Sequence, residues 1–283
     1  MKCSLFNFAM LKNITLIRNS NKYRNLLFLM ITSLLFLLSK ENGLFWDNVL
    51  FASKMGNYLF ENSIFNWSIP DSFDPGHPPF LGFLLALVWK IFGQNLWSSH
   101  LLMFPFIFGV IVQLFKFISF YVKDEKKAWL AFAFIILDPT LSTQFIIVNP
   151  EVIIVFFFFL AFNGIIENNK KLHFIGLFFL SIISFRSMML LAGLFIFDFL
   201  NRIIIKKEKI KSVLNFNFLL FYLIASLPGI FYIVWRLFTK GWLQTHPNSP
   251  WSSLWQLATP KIFFKNSIVL IWRFLDFGRI FFI

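Results

Sequence analysis

Apolar runs long enough to cross a membrane, separated by short clusters of lysine and arginine, restrict this chain more than any other feature. A backbone in hydrocarbon meets no water, so a spanning segment must satisfy its own N–H and C=O groups; only helices and closed barrels do so. Runs approaching about 20 residues select helices. Only 14% of the 283 residues are charged, against roughly 25% in soluble domains. The net charge of +13 would suit nucleic acid, but the basic residues fall in the connectors between apolar runs. That is the positive-inside pattern of membrane topology. The expected partner is therefore the lipid bilayer and not nucleic acid. The expected fold class is all-α, a polytopic integral membrane protein of about seven spans with one transmembrane domain over residues 1–283. It is expected in the cell inner (plasma) membrane with its N-terminus in the cytoplasm.

Charge parity sets the path. Residues 1–25 carry Lys2, Lys12, Arg18, Lys22 and Arg24 and are assigned to the cytoplasm. No small-residue cleavage site follows the first apolar run, residues 26–38, so that run reads as a retained anchor. Residues 40–95 then form the first extracytoplasmic loop. Within and after it come two apolar stretches: 78–92, short and containing Lys90, and 96–122, which ends at Lys123, Lys126 and Lys127. If both crossed, that basic cluster would lie outside. Residues 78–92 are therefore expected to form a helix in the outer interface, opened by Pro78-Pro79. Residues 128–137 go out, 138–150 make an outer turn and 152–166 return. Residues 174–200 have the length of one span but hold Arg186 at the middle. Read as one span, they would put Arg202, Lys206, Lys207, Lys209 and Lys211 outside. Two short helices meeting near Arg186 at the outer surface keep that cluster inside. Residues 216–237 lead to an outer loop, 239–265, and 267–283 turn inward with Arg273, Asp276 and Arg279 on one face. The chain stops inside this last run, so a C-terminal part is expected to be missing.

On this path Asp47, Asp71, Asp74, His77, Asp138, Glu151, Arg186 and His246 collect outside, opposite the Lys-rich connectors. Each has a bland reading. Asp74 and His77 could only shape the Asp74-Pro75-Gly76 turn, and Asp47 could be a solvated acid beside the membrane. Asp138 and Glu151 could be caps, and Arg186 could be a hairpin tip reaching for headgroups. An ionisable group at membrane depth nonetheless marks a functional site by default. The single cysteine, Cys3, excludes an internal disulfide. The four scattered histidines and the lack of a carboxylate cluster at ligand spacing predict no metal and no cofactor.

The order of these motifs resembles a known family. An acid just after the first span, a loop closing on His77-Pro78-Pro79, and an interfacial helix ending Trp89-Lys90-Ile91-Phe92-Gly93 are similar to the protein O-mannosyltransferase-like group. That group comprises glycosyltransferase family 39 and the lipid A aminoarabinose transferases, with the GT-C membrane fold. Asp138-Pro139 and Pro150-Glu151 resemble its third–fourth span hairpin, and His246-Pro247-Asn248-Ser249-Pro250-Trp251 is similar to a segment of bacterial members. Asn48 stands where the family often has a second acid, and the family's further spans are absent.

The resemblance implies transfer of a sugar, hexosyl or pentosyl, from a polyprenyl-phosphate donor to a lipid, glycan or protein acceptor on the outer face. It implies Asp47 as catalytic base, with Asp74, His77, Glu151, Arg186 and His246 as substrate-binding residues and Arg186 as the phosphate partner. Two other readings stay open: a transporter or flippase of lipid-linked sugars, and an inactive truncated transferase. No internal repeat of the kind common in transporters is visible.

Overall fold

A computed structural model describes residues 22–45, 48–243, 246 and 259–277. All regular structure among them is helical. In chain order, α1 is Lys22–Ser39. A π-turn, Val49–Lys54, opens α2, Met55–Glu61; α3 is Phe80–Phe92, α4 Leu96–Tyr121, α5 Glu125–Ile136 and α6 Pro139–Phe145. Then come α7, Pro150–Ile166, α8, Lys170–Ile183, and α9, Phe185–Leu200, which runs on as a π-turn, Asn201–Ile205. Finally α10 is Ile210–Val213, α11 Phe216–Lys240 and α12 Pro260–Phe277.

The boundaries have local causes. Asn95, Asp124, Asp138, Asn149, Asn169, Ser184 and Asn215 each stand at an N-cap, and each side chain accepts an N–H from the first turn of the helix it opens. Such a cap is worth about 1 kcal/mol. Asn is therefore a start signal here as much as a compositional habit. At the far end of α11, Gly241 takes the left-handed conformation (φ 69°) that closes a helix.

Two compact units result, Met1–Gly241 and Trp242–Ile283. In the first unit, ring contacts fix helix directions. Phe28 meets Phe115 at 5.5 Å and Phe36 meets Phe104 at 6.1 Å, so α1 runs antiparallel to α4. Phe106 meets Phe157, and Asn163 donates to Gln113 Oε1 at 2.9 Å, so α4 and α7 run parallel. Phe157 stacks on Phe179 at 4.5 Å while Gly164 abuts the His173 backbone, so α7 and α8 run antiparallel. Ser181 Oγ accepts from Gly229 N and Tyr222 reaches His173, so α8 and α11 run parallel.

These directions sort the ends. One end gathers the C-termini of α1, α8 and α11 with the N-termini of α4, α7 and α9. The other gathers Lys116, Lys123, Lys126, Lys127, Lys170, Arg202 and Lys206, and is called the basic end below. Among the described residues, four helices are long and apolar enough to cross a membrane: Lys22–Ser39, Leu96–Tyr121, Phe185–Ile205 and Phe216–Lys240. The pair α5 and α6, bent by 69° at Asp138, would make a fifth if it is one span. Large apolar side chains cover their outer surfaces, Phe134, Phe231 and Phe238 among them, as a lipid-facing surface requires.

Several expectations meet the structure closely. Residues 174–200 are two helices that break at Ser184, two residues before Arg186. Lys206, beyond α9, donates to Asn168, just before α8, so the two helices form a hairpin with Arg186 at its tip. Helix α3 has contacts at both of its ends. Phe80 packs on Phe179 near the end of α8, and Trp89 Nε1 donates to Ser99 Oγ (2.8 Å) at the start of α4. Both ends of α3 thus sit at the same end of the bundle. Underneath, α2 and α3 pack closely, Gly82 against Met55 and Gly56 against the Trp89 ring.

Other expectations need correction. The first loop, 40–95, contains α2 as well as α3. The turn at 138–150 is largely the helix α6, because Asp138 caps it and Pro139 suits its first position. At the borders of the loop placed at 239–265, α11 runs to Lys240, whose side chain is held by Asp71, and α12 begins at Pro260. Asp47 and Arg279 lie outside the described residues.

Candidate functional site

At the end opposite the basic connectors, four segments distant in sequence converge on one pocket. Its lining includes Asn48, His77, Pro78, Glu151, Ser184 and Arg186. Each charged group is held by its helix start. Asn149 caps α7 and puts Glu151 in the first turn, where the positive helix end favours a carboxylate. A reciprocal capping box between Ser184 and Ser187 fixes the start of α9, and Arg186 projects from it. Arg186 Nη1 lies 3.3 Å from Glu151 Oε1, with the side chains 69% and 42% exposed. A pair this open adds little stability. The other guanidinium N–H groups have no protein partner among the described residues and are accessible to a ligand.

His77 forms the third wall, its ring 5.8 Å from that of Phe185. Its pKa is lowered from 6.5 to about 4, first by burial and then by the Arg186 and Arg236 charges. The imidazole is therefore neutral at physiological pH.

The backbone of this wall is held by α11. Tyr232, Arg236 and Lys240 occupy one helical face at four-residue spacing and engage the loop in antiparallel order. Tyr232 Oη donates to the His77 carbonyl (3.1 Å). Arg236 makes a two-pronged pair with Asp74 (2.9 and 3.1 Å), the side chains 3% and 2% exposed. Arg236 also donates to Tyr232 Oη at 2.8 Å. Lys240 Nζ reaches Asp71 Oδ1 (2.6 Å) and the Ile69 carbonyl (2.7 Å). Asp74 Oδ1 in addition accepts Gly76 N–H (2.8 Å), closing a turn in which Gly76 has φ 84°. The Asp74 carboxylate is thus committed to holding the loop, as the turn-shaping reading has it, and does not line the pocket.

Of the expected site residues, His77, Glu151 and Arg186 come together. Asn48 lines the same pocket, and Asp47, its neighbour in sequence, lies outside the described residues. His246 belongs to the second unit, where its ring meets Trp242 edge-on at 5.6 Å. Tyr232, Arg236 and Lys240 were not anticipated. Their signal was present as three polar groups on one face at the end of an apolar helix, but nothing local names their partners. Among the described residues no three of His, Cys, Asp and Glu cluster closely enough to hold a metal ion.

No family model matches the chain, and neither a curated protein nor a solved structure is detectably similar to it.

Proposed function

We propose that this chain is a membrane glycosyltransferase that moves a sugar from a polyprenyl-phosphate donor to an acceptor at the end of the bundle bearing His77, Glu151 and Arg186. The observation that carries this reading is the convergence of these three residues, from a loop and two helix starts, with Asn48 beside them. A cation with unused N–H groups suits a phosphate leaving group. A carboxylate suits activation of an acceptor hydroxyl or amine. The resemblance described above supplies the donor class and the assignment of Asp47.

In this reading the acceptor oxygen or nitrogen attacks the anomeric carbon as Asp47 takes its proton. The bond from that carbon to the phosphate oxygen breaks, and polyprenyl phosphate leaves with its new charge facing Arg186. A single displacement inverts the anomeric configuration. The neutral His77 serves as a hydrogen-bonding wall, and Glu151 orients Arg186. The fold is read as GT-C-like with about seven spans, α7 and α8 crossing as the shorter members, in the plasma membrane with the N-terminus cytoplasmic.

The test is sugar transfer by purified protein in proteoliposomes containing a polyprenyl-phosphate hexose or pentose. Asp47→Asn is expected to lower kcat by about 100-fold or more. Arg186→Ala is expected to raise the donor KM or lower kcat by about tenfold or more. Transfer by Asp47→Asn at the wild-type rate rejects the base assignment, and unchanged kinetics of Arg186→Ala reject the phosphate assignment. If the wild type transfers no sugar from any such donor, the transferase reading fails.

A further inference from the structure

A second polar cavity, of about 270 Å³, opens at the basic end, where α8 and α11 begin and α9 finishes. It takes no part in the proposed transfer. Its inner wall is a chain of buried polar groups. Tyr222 Oη lies 3.1 Å from Asp198 Oδ2 and 3.1 Å from His173 Nε2. The phenol has one proton and gives it to the carboxylate, so His173 Nε2 donates to the phenol oxygen. Asp198 Oδ1 accepts from Arg202 Nε at 3.1 Å, and the guanidinium lies 5.0 Å over the Phe218 ring. His173, Tyr222 and Asp198 are 5%, 5% and 3% exposed.

This arrangement exceeds what a surface ion pair needs. An exposed i,i+4 Asp–Arg pair is worth only a few tenths of a kcal/mol and requires no buried support. Here three buried side chains fix one edge of the Arg202 fork. Both of its Nη groups are left without a protein partner among the described residues, and Arg202 lines the cavity. Lys170, also lining the cavity, has no ion pair among the described residues. A guanidinium anchored on its inner edge and open on its outer edge matches the paired oxygens of a phosphate. Basic pockets between membrane helices at the positive-inside end bind anionic lipid headgroups. With Asp198 neutralised by Arg202, Lys170 leaves the cavity net positive.

We propose that this cavity binds the phosphate of an anionic phospholipid from the bordering leaflet. The proposal stands independently of the transferase reading.

Native mass spectrometry of the full chain in detergent, titrated with phosphatidylglycerol or phosphatidylcholine of the same acyl chains, tests it. The wild type is expected to retain phosphatidylglycerol at least about fivefold more tightly, as one well-placed cation provides. Lys170→Gln and Arg202→Gln should each lose about that factor. Lys211→Gln, which removes a charge from the same end but outside the cavity, should lose far less. Arg202→Gln leaves Asp198 buried without its cation and could unfold the chain; Lys170→Gln carries no such risk and decides the matter. Equal retention of both lipids by the wild type overturns the proposal, as does equal loss in Lys170→Gln and Lys211→Gln. Added inorganic phosphate separates the two sources of the group. If millimolar phosphate raises the Tm of wild type but not of Lys170→Gln, with no preference between lipids, the ligand is soluble phosphate and the lipid assignment fails.

Discussion

Asp74 and His77 sit three residues apart in one loop and meet opposite electrostatic conditions. Arg236 grips both oxygens of the buried Asp74 carboxylate. Removing either charge leaves the other buried without this counter-charge, which costs about 3–5 kcal/mol. Asp74→Asn and Arg236→Gln are each expected to lower unfolding stability in detergent by that order. The double variant should lose less than the sum of the two, because no buried charge is stranded. Additive losses would mean that the pair is not coupled. His77, by contrast, is held neutral by burial and by two neighbouring cations, with its pKa lowered to about 4. In the unfolded chain it titrates near the ordinary 6.5, so between these values the unfolded state binds more protons. Its contribution to stability is complete above about pH 6.5 and is lost as pH falls toward 4, up to about 3 kcal/mol in all. Melting curves from pH 7.5 to 4.5 should show a steeper acid decline in wild type than in His77→Gln. Parallel profiles would mean that His77 is not held neutral.

At the scale of elements, the packing of α8 depends on glycines at its contacts, Gly176 of its own and Gly229 of α11. A Cβ on Gly229 would collide with the Ser181 carbonyl oxygen, and one on Gly176 would come within 2.6 Å of Ala161. Helices in lipid associate through such close approaches, since lipid tails offer no hydrophobic drive between them. Because α8 ends at the Ser184 break, pushing it away from α11 moves the hairpin tip that carries Arg186. Gly229→Ala is expected to cost about 1–3 kcal/mol and to lower sugar transfer along with stability. Gly193, which has open space around it, should accept alanine without loss. The same hairpin shows what the sequence could and could not reveal. Its break was legible because Arg186 in mid-run and the lysines after α9 could not both be accommodated by one crossing. By contrast, Arg236 looked like an unremarkable cation at the end of an apolar helix, and its partner Asp74 is 162 residues away. The network of His173, Asp198 and Tyr222 was hidden likewise, one residue on each of three helices. Charge counting along a chain reads which end a segment reaches; it is blind to pairings made only when helices assemble.

For the whole molecule, the consequential question is which residues share a side of the membrane, because the proposed site requires Lys90 and Arg186 on one side and Lys126 on the other. The packing supports that division. Phe80 meets the end of α8 and Trp89 meets the start of α4, so α3 begins and finishes at one end of the bundle. Helix α4 then runs the full distance, 26 residues or about 39 Å at 1.5 Å per residue, to the connector that holds Lys126. A crossing α3 would have to carry Trp89 away from Ser99 and leave both of its own glycine-tight contacts with α2. Lys90, Lys126 and Arg186 are all exposed, so single cysteines there, in a chain whose Cys3 is replaced by serine, can be labelled without unpacking a core. In intact cells an impermeant thiol reagent is expected to modify cysteine at 90 and at 186, and to reach 126 only after the membrane is opened. If 90 reacts with 126 instead, α3 crosses, the connectors that follow change sides, and the pocket formed by His77, Glu151 and Arg186 cannot serve an outward-facing transfer.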